Sequence, residues 1–496
     1  MNQLARALSV IALLGLLAVL GFVAKAWYDS RLPGTYGVMD YGAPDYGGGA
    51  ATGHQHHGRT SVAAFGAAPG VAAFGAAPGR PDVRFTLTAK QARVRLDSGR
   101  EINALTFDGQ VPGPELRVHQ GDLVEVTLVN EDLGDGIAVH WHGVDVPNGE
   151  DGVAGVTQDA VRPGERYTYR FRADQLGTFW YHSHQFSARQ VERGLYGPFV
   201  IEPRTGKPAG ELDLSIPVHT FESRRVFGTS DGLTRRPVAA GRPVRLRLIN
   251  TDDTPRELFL RGTPFRVLAV DGVDLTDPQP IEAAKLTLGA GGRYDLGFTM
   301  PSSAVTLGDL TSKAGMVFGP PSATESPPAE PENEFDPGSY GSAPPMPFTL
   351  ASHFDREFRI EIGKKLGFLN GKPGRHWSLN GKLYPDVPMP VVRKGELVKI
   401  TFVNHSGTVH PMHLHGHHVL VLSRDGKPVR TPWWVDILDV GSGDSYEVGF
   451  RAANTGIWML HCHNLSHAAN GLVMHLTYDG VTTPFRVGGR AHNHPE

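Results

Sequence analysis

QGDLVEVTLVN at residues 120–130 and KGELVKITFVN at residues 394–404 are two copies of one pattern. AGRPVRLRLIN at residues 240–250 is a third copy, with the same glycine, the same apolar positions and the same closing asparagine. Alternation of this kind is typical of a β-strand with one buried face. A strand pattern that recurs three times at wide spacing predicts three related domains, so we expect an all-β chain of three Greek-key β-sandwich domains.

The composition of the chain supports this fold class. The 496 residues include 61 glycines and 38 prolines, which indicates many turns, and 40% hydrophobic residues are enough to bury several cores. The formal net charge is only −3, from 48 basic and 51 acidic side chains. This balance gives no sign of a nucleic-acid partner.

The N-terminal residues are typical of an export segment. An apolar run from Ala7 to Ala24 follows Arg6, and residues 24–26 offer a small-x-small cleavage site. The run is long for a signal core and short for a membrane span, so residues 1–26 are either a cleaved signal peptide or a membrane anchor. Both alternatives predict an exported protein, either secreted or held in the cell envelope (the periplasm, for example).

A Gly-, Ala-, Tyr- and Pro-rich stretch at residues 27–82 follows and contains a perfect nine-residue duplication across residues 62–79. Such a composition buries too little apolar surface to offset chain entropy, so we predict a flexible, disordered linker that could tether the body to a membrane. His54, His56 and His57 within it are interpreted as a solvated polar cluster rather than a copper site. The predicted boundaries are 83–203 for the first domain, 204–318 for the second, 319–347 for a Pro-rich linker and 348–486 for the third.

Ten of the 23 histidines fall in four short clusters, each centred on an H-x-H unit. The clusters are His140-Trp-His142, His182-Ser-His184, His410-Pro-Met-His413-Leu-His415, and His461-Cys462-His463 with His467 four residues later. One such pair could be a polar strand edge, but four of them together predict a metal site.

The spacing of these histidines has a structural meaning. Residues i and i+2 of a strand point to the same face, so each H-x-H unit presents two imidazoles side by side, eight in all. Eight neutral nitrogen ligands would suit a cluster of three copper ions, placed between the first and third domains because two pairs lie near each end of the chain. Cys462, the single cysteine, must then face away from His461 and His463. With His410 and His467 it provides the ligand set of a blue copper electron-transfer site.

These four motifs, in this order, resemble those of the multicopper oxidase family, which includes laccases, ascorbate oxidases and cuprous or ferrous oxidases. The resemblance covers residues 83 to about 480 and implies that the three sandwiches are cupredoxin-like. It also implies four copper ions as cofactors. By motif position, the implied ligands are His410, Cys462 and His467 for the type 1 (blue) copper, His140 and His413 for type 2, and His142, His182, His184, His415, His461 and His463 for the two type 3 coppers.

The weak axial position of the blue site falls on Leu472, five residues after His467. Leucine cannot ligate copper, so we predict a blue site of comparatively high potential. The alternative is that Met474 reaches the copper instead.

The resemblance implies a catalytic role for Asp151 as a proton relay beside the three-copper cluster, although an Asp-Gly turn would also explain this residue. Some relatives carry a further acid directly after the last blue-copper histidine, where this chain has Ala468. Asp436 matches a family position near the blue site and is predicted either to orient a ligand histidine or to form a structural hydrogen bond.

The sequence therefore predicts a laccase-like oxidoreductase. Phenolic or aromatic-amine donors would give single electrons to the blue copper, with Cys462 as the catalytic link, and dioxygen would be reduced to water at the cluster. The alternatives are a cuprous oxidase for copper tolerance and a non-catalytic copper-binding scaffold. A two-domain copper nitrite reductase is disfavoured because it needs no paired H-x-H units. A self-sufficient monomer is expected because the first and third domains supply every ligand.

Overall fold

The computed structural model of the protein describes residues 2–49, 70–75, 78–321, 323, 331 and 333–496. An N-terminal helix, α1 (Asn2–Asp29), precedes the strands. From Arg6 to Asp29 it is apolar and long enough to cross a membrane, and its most apolar stretch is not buried against the rest of the chain. The predicted apolar segment is therefore a helix, and its features fit a signal sequence as well as an anchor.

The first sandwich consists of two four-stranded sheets, packed around a core that includes Trp141, Phe171 and Phe199. Two short strands, β1 (Thr35–Tyr36) and β2 (Ala43–Asp45), precede it in the chain and belong to other sheets. The strands of the first sandwich are β3 (Val83–Arg95), β4 (Glu101–Phe107), β5 (Leu116–His119), β6 (Leu123–Asn130), β7 (Val139–His142), β8 (Arg166–Arg172), β9 (Gly177–Ser183) and β10 (Tyr196–Glu202). One sheet has the order β4-β3-β6-β8 and the other β5-β10-β9-β7. Helix α2 (Ser187–Glu192) follows β9, and a short 3-10 helix (Asn148–Glu150) follows β7.

The second sandwich consists of two six-stranded sheets. Its strands are β11 (Leu212–Phe221), β12 (Arg224–Phe227), β13 (Leu233–Pro237), β14 (Pro243–Asn250), β15 (Arg256–Arg261), β16 (Arg266–Val270), β17 (Val273–Asp274), β18 (Ala284–Leu288), β19 (Arg293–Thr299), β20 (Val305–Asp309), β21 (Gly315–Gly319) and β22 (Asn333–Glu334). The sheet orders are β12-β11-β14-β19-β16-β17 and β13-β21-β20-β15-β18-β22.

The third sandwich also has two six-stranded sheets and shares a continuous apolar core with the second. Its strands are β23 (Arg356–Leu369), β24 (Lys372–Leu379), β25 (Pro388–Val392), β26 (Leu397–Asn404), β27 (His410–Leu414), β28 (Val419–Arg424), β29 (Lys427–Val435), β30 (Ile437–Val440), β31 (Ser445–Arg451), β32 (Ile457–Cys462) and β33 (Val473–Tyr478), followed by β34 (Val487–Gly488). The orders are β2-β25-β33-β32-β27-β30 and β24-β23-β26-β31-β28-β29, and helix α3 (Leu465–Ala469) follows β32.

The three copies of the repeated pattern occupy equivalent places. They form β6, β14 and β26, each parallel to the strand that opens its sandwich and antiparallel to a later strand. Their closing residues, Asn130, Asn250 and Asn404, are buried, and each side-chain amide donates to two or three backbone carbonyls at the end of its sandwich. The structure thus confirms the all-β class, and the exact domain boundaries remain predictions.

Part of the linker predicted at residues 27–82 is ordered, contrary to the sequence prediction, and the Pro-rich linker also makes ordered contacts. Residues 35–45 are not a free tether, because β1 pairs with β34 and β2 pairs with β25 of the third sandwich. In the Pro-rich stretch, β22 pairs with β18, and Phe335 and Tyr340 are buried. The few apolar residues in these segments gain partners elsewhere in the fold, which local composition does not reveal. The three linker histidines and most of the duplicated repeat lie outside the described residues.

Candidate metal centres

The four histidine clusters lie on two pairs of neighbouring strands. In the first sandwich β7 runs antiparallel to β9, which places His140 opposite His182. In the third, β27 runs antiparallel to β32, which places His413 opposite His461 and Met412 opposite Cys462. This strand pairing brings the separate sequence motifs together at the contact between the first and third sandwiches.

The eight predicted cluster histidines converge in one fully buried group. One nitrogen of each of His184, His415 and His461 lies within a single group that could hold a metal ion. The ring of His142 lies 5.7 Å from that of His182 and 4.7 Å from that of His463, centre to centre. His140 and His413 come together from opposite sandwiches, with their Nε2 atoms 3.5 Å apart.

Hydrogen bonds fix which nitrogen of each ring is free. The Nδ1 atoms of five cluster histidines donate to backbone carbonyls, which can only accept, so their Nε2 atoms carry lone pairs. These donors are His140 to Asp151, His182 to Ser183, His184 to Pro495, His413 to Asp436 and His461 to Cys462, at 2.7–3.2 Å. His415 Nδ1 donates to the Asp151 carboxylate at 3.0 Å.

His142 is oriented the other way round. Its Nε2 donates to Asp436 Oδ1 at 3.2 Å, which leaves Nδ1 buried and without a hydrogen-bond partner among the described residues. Both ring nitrogens of His463 are also buried, and neither has a partner in the part of the chain that the structure describes. His142 therefore differs from its neighbours in offering Nδ1 rather than Nε2.

These lone pairs fit a cluster of cations. His415 Nε2 and His461 Nε2 are 3.1 Å apart, yet each ring carries its proton on the opposite nitrogen, so two acceptors face each other. Burial lowers the pKa of both imidazoles well below the ordinary value, which excludes relief by protonation. A metal ion between them would satisfy both atoms, and imidazole nitrogen is a favoured copper ligand. The donor set therefore fits copper.

A second group of potential ligands includes Cys462, which lies between the cluster ligands His461 and His463 in the sequence. Cys462 Sγ is 3.4 Å from His410 Nδ1 and 3.7 Å from His467 Nδ1, and the two nitrogens are 3.3 Å apart. Burial raises the pKa of the Cys462 thiol well above its ordinary value, so a thiolate here requires a bound cation. A thiolate and two imidazoles form the ligand set of a blue copper site.

The strand register places Leu472 directly beside this second group. Cys462 N donates to the Leu472 carbonyl at 3.1 Å, whereas Met474 pairs with Leu460, two residues further along. Both side chains are buried. Of the two candidates for the axial position, Leu472 is therefore the direct neighbour of Cys462 across the strands.

Leu472→Met is expected to lower the reduction potential of the blue site, because a thioether sulfur would become a weak axial ligand. The measurement is a redox titration that follows the blue absorbance. Met474→Leu is the matched control and should leave the potential unchanged. A potential that drops in Met474→Leu but not in Leu472→Met would show that the axial position is misassigned.

Asp151 lies against two cluster histidines and is buried. Its carboxylate contacts His415 Nδ1 at 3.0 Å and lies 3.0 Å from His140 Nδ1, which also donates to the Asp151 carbonyl. Burial raises the pKa of this carboxyl group, and the nearby His140 lowers it in part. The structure thus brings Asp151 to the cluster, as the sequence predicted.

Asp436 lies against the eight-histidine group rather than the Cys462 group, which corrects its predicted location near the blue site, while its contact with His142 agrees with the predicted role of orienting a ligand histidine. Besides its carboxylate contact to His142, its backbone carbonyl accepts a hydrogen bond from His413. Arg293 from the second sandwich donates to the same carboxylate from both of its terminal nitrogens. The side chains of Arg293 and Asp436 are buried. Arg293 is not among the residues predicted from the sequence, because a single arginine far from every motif carries no local signal.

The C-terminal residues also reach the cluster, which the sequence analysis did not predict. The Pro495 carbonyl accepts from His184 Nδ1 at 2.7 Å, and Glu496 Oε1 lies 3.4 Å from His461 Nδ1. A backbone hydrogen bond from Phe186 N to the His494 carbonyl, at 2.7 Å, holds this tail against the start of α2. Pro495, which lies beyond the predicted third domain, thus helps to orient His184, one of the candidate ligands.

Known proteins share this arrangement in sequence and in fold. Two multicopper oxidase family models match residues 88–206 and 358–480. The chain is 29% identical over 451 residues to multicopper oxidase MmcO of Mycobacterium tuberculosis, covering 80% of this chain and 87% of that one. It is 26% identical over 466 residues to laccase-1 of Botryotinia fuckeliana, covering 79% and 82% of the two chains.

A solved structure agrees with these sequence matches. The crystal structure of a multi-copper oxidase from Pseudomonas thermotolerans has a TM-score of 0.65 and 28% identity, covering 80% of this chain and 99% of that one. The motifs, the convergent histidines and the matches at both ends of the fold lead to the same assignment. The chain belongs to the multicopper oxidase family of oxidoreductases, whose cofactor is four copper ions, one of type 1, one of type 2 and two of type 3.

Proposed function

We propose that this protein is a laccase-type oxidase that takes single electrons from phenols or aromatic amines and reduces dioxygen to water. The observation that carries this proposal is the tryptophan ring that packs against both histidines of the proposed blue site. The Trp377 ring lies 4.3 Å from the His467 ring and 4.9 Å from the His410 ring. His467 is partly exposed, so an aromatic donor packed on Trp377 would reach a copper ligand directly.

The ligand residues divide between two sites in this proposal. His410, Cys462 and His467 hold the type 1 copper, and His140 with His413 holds type 2. The type 3 pair is held by His142, His182 and His463 on one side and by His184, His415 and His461 on the other. When bound, the coppers supply one-electron oxidation at the first site and four-electron reduction of dioxygen at the second.

The chain itself links and isolates the two sites. Cys462 is bonded through the backbone to His461 and His463, so one tripeptide connects the blue site to the cluster. Four donors release four electrons and four protons, which balance the conversion of one dioxygen to two waters. The cluster histidines are fully buried, which excludes bulk water and organic donors from the place where dioxygen is reduced.

Asp151 is the proposed proton relay of the cluster, and Asp151→Asn is expected to slow turnover. An amide cannot pass on a proton, so the loss should grow as the pH rises and solution protons become scarce. The measurement is the pH profile of kcat, with copper content checked in the same samples because Asp151 also orients His140 and His415. A fully loaded variant with an unchanged kcat and pH profile would remove the relay role.

The exported location is part of the same proposal. Helix α1 either is cleaved as a signal peptide or stays as an anchor, with the oxidase outside the cytoplasm and working as a monomer. N-terminal sequencing of the mature protein distinguishes cleavage near residue 26 from retention of the helix.

The experiment that tests the function is oxygen uptake by the copper-loaded protein with 2,6-dimethoxyphenol, with peroxide assayed alongside. The proposal predicts uptake of one dioxygen per four donors oxidised and no peroxide. No uptake with phenols or aromatic amines, but uptake with Cu(I), would contradict it and identify a cuprous oxidase. A protein that never holds about four coppers would be the binding scaffold instead.

A further inference from the structure

The hairpin formed by β23 and β24 lies beside the blue site, and one of its faces carries Trp377, which contacts His410 and His467. Lys364 pairs with Trp377 in the strand register, and Leu366 pairs with Arg375. Residues paired in this way, and residues two apart on one strand, point to the same side of a sheet. We call these four side chains the portal face. The next pair inward on this face, Ile362 and Leu379, is fully buried, so the portal face emerges from the core beside the blue site.

The portal face combines an aromatic wall with positive charge. Lys364 Nζ lies 4.3 Å from the centre of the Trp377 ring, and Leu366 is 79% exposed. Arg375 is exposed. Within the described parts of the chain, neither Lys364 nor Arg375 forms an ion pair. Both charges are therefore available to a ligand that packs on Trp377.

The sequence around the hairpin adds to this charge. Between Glu361 and Asp386 there are five basic residues and no acidic one. A cationic donor such as a metal ion would meet repulsion here, whereas an anion would be attracted.

We propose that the portal face is a binding site for aromatic donors that carry a negative charge, such as phenol carboxylates, with Trp377 packing on the ring and Lys364 pairing with the carboxylate. This inference rests on the proposed laccase-type function and narrows its substrate class. In this proposal Lys364 makes the protein favour anionic over neutral phenols, and the positive charge of the portal face keeps metal cations away from the blue site.

The chain offers a matched control for Lys364. Lys365 is its neighbour in sequence but lies on the opposite face of the hairpin, where Nζ donates to the Gly381 carbonyl at 2.9 Å. Lys364→Gln and Lys365→Gln remove the same charge from the same strand. Only the first removes it from the portal face.

The kinetic test compares two donors with the same phenol, 4-hydroxy-3,5-dimethoxybenzoate and the neutral 2,6-dimethoxyphenol, on the copper-loaded full chain. Loss of a partly exposed charge pair costs about 1 kcal/mol, which corresponds to roughly a fivefold change in kcat/KM. Lys364→Gln should therefore lower kcat/KM for the benzoate about fivefold and leave the neutral phenol nearly unchanged. Lys365→Gln should change neither, and added salt should reduce the advantage of the wild-type protein for the benzoate. Equal effects of the two variants would overturn the proposal.

A binding measurement separates this inference from the proposed function. 4-Methoxybenzoate lacks the phenol hydroxyl, and its affinity can be measured by calorimetry without turnover, with 4-methoxybenzamide as the neutral control. The proposal predicts weaker binding of the benzoate in Lys364→Gln only. Lys364-dependent binding without oxidation of any phenol would keep the portal and refute the laccase-type function. Oxidation of both phenols, together with unchanged benzoate binding in Lys364→Gln, would support the laccase-type function and refute the proposed role of the portal face.

Discussion

Cys462→Ser is expected to abolish the blue colour and nearly all oxidase activity. In the proposed assignment Cys462 supplies the thiolate of the blue site, and it is also the covalent link between His461 and His463. A hydroxyl group is a poor replacement for a thiolate on copper. Loss of residues that merely support metal ligands costs roughly 10–100-fold, so loss of this ligand should cost more than about 100-fold in turnover. The measurements are visible absorbance, kcat with 2,6-dimethoxyphenol and copper content.

The copper content decides how the loss is interpreted. Because the eight cluster histidines are untouched, Cys462→Ser should keep about three coppers per chain and lose one. Ser466→Ala, an exposed position in the adjacent helix α3, is the control and should behave as wild type. A blue, active Cys462→Ser protein would refute the proposed site, and loss of all four coppers would show that the two sites do not form independently.

Arg293→Met is expected to destabilise the fold and the three-copper cluster together. Arg293 and Asp436 form a buried ion pair, and Asp436 in turn holds His142 and His413. Removal of one partner of such a pair typically costs about 3–5 kcal/mol, and because His418 also lies 3.4 Å from the Asp436 carboxylate and compensates it in part, we expect the lower end of this range. We expect the thermal midpoint of the copper-free protein to fall on the order of 10 °C. Copper content should fall as well, because both histidines lose their support.

Two further variants test whether the pair itself is responsible. Arg293→Met with Asp436→Asn removes both charges and should recover part of the lost stability. Arg84→Met breaks an exposed pair with Glu125 and should change the midpoint little. If Arg293→Met unfolds at the wild-type temperature and keeps its copper, then the second sandwich does not stabilise the cluster as we infer.

The sequence was sufficient to predict the fold class, because that depends on short local patterns, and the same kind of pattern predicts the candidate copper ligands. The period of two along a strand gives the side-chain direction, so H-x-H units predict paired ligands, and the opposite direction of Cys462 predicts a second site. The repeated pattern at residues 120–130, 240–250 and 394–404 predicts three sandwiches for the same reason.

The supporting contacts could not be predicted, because they join residues that are distant in sequence. Arg293 and Pro495 have no motif around them, and each acts on a histidine of another segment. Asp436 was placed near the wrong site because a match to a family position does not show which ligand histidines its carboxylate faces. The linker at residues 27–82 is predicted to be flexible because its composition is poor in apolar residues, whereas the short strands within residues 35–45 pair with β34 and with β25 of the third sandwich.

The most direct test of the account is anomalous diffraction at the copper edge from crystals of the copper-loaded protein. We predict one peak among His410, Cys462 and His467, and three peaks among the eight histidines of the H-x-H units. Fewer than three peaks at the cluster, or a blue-site peak without Cys462 as a ligand, would contradict it.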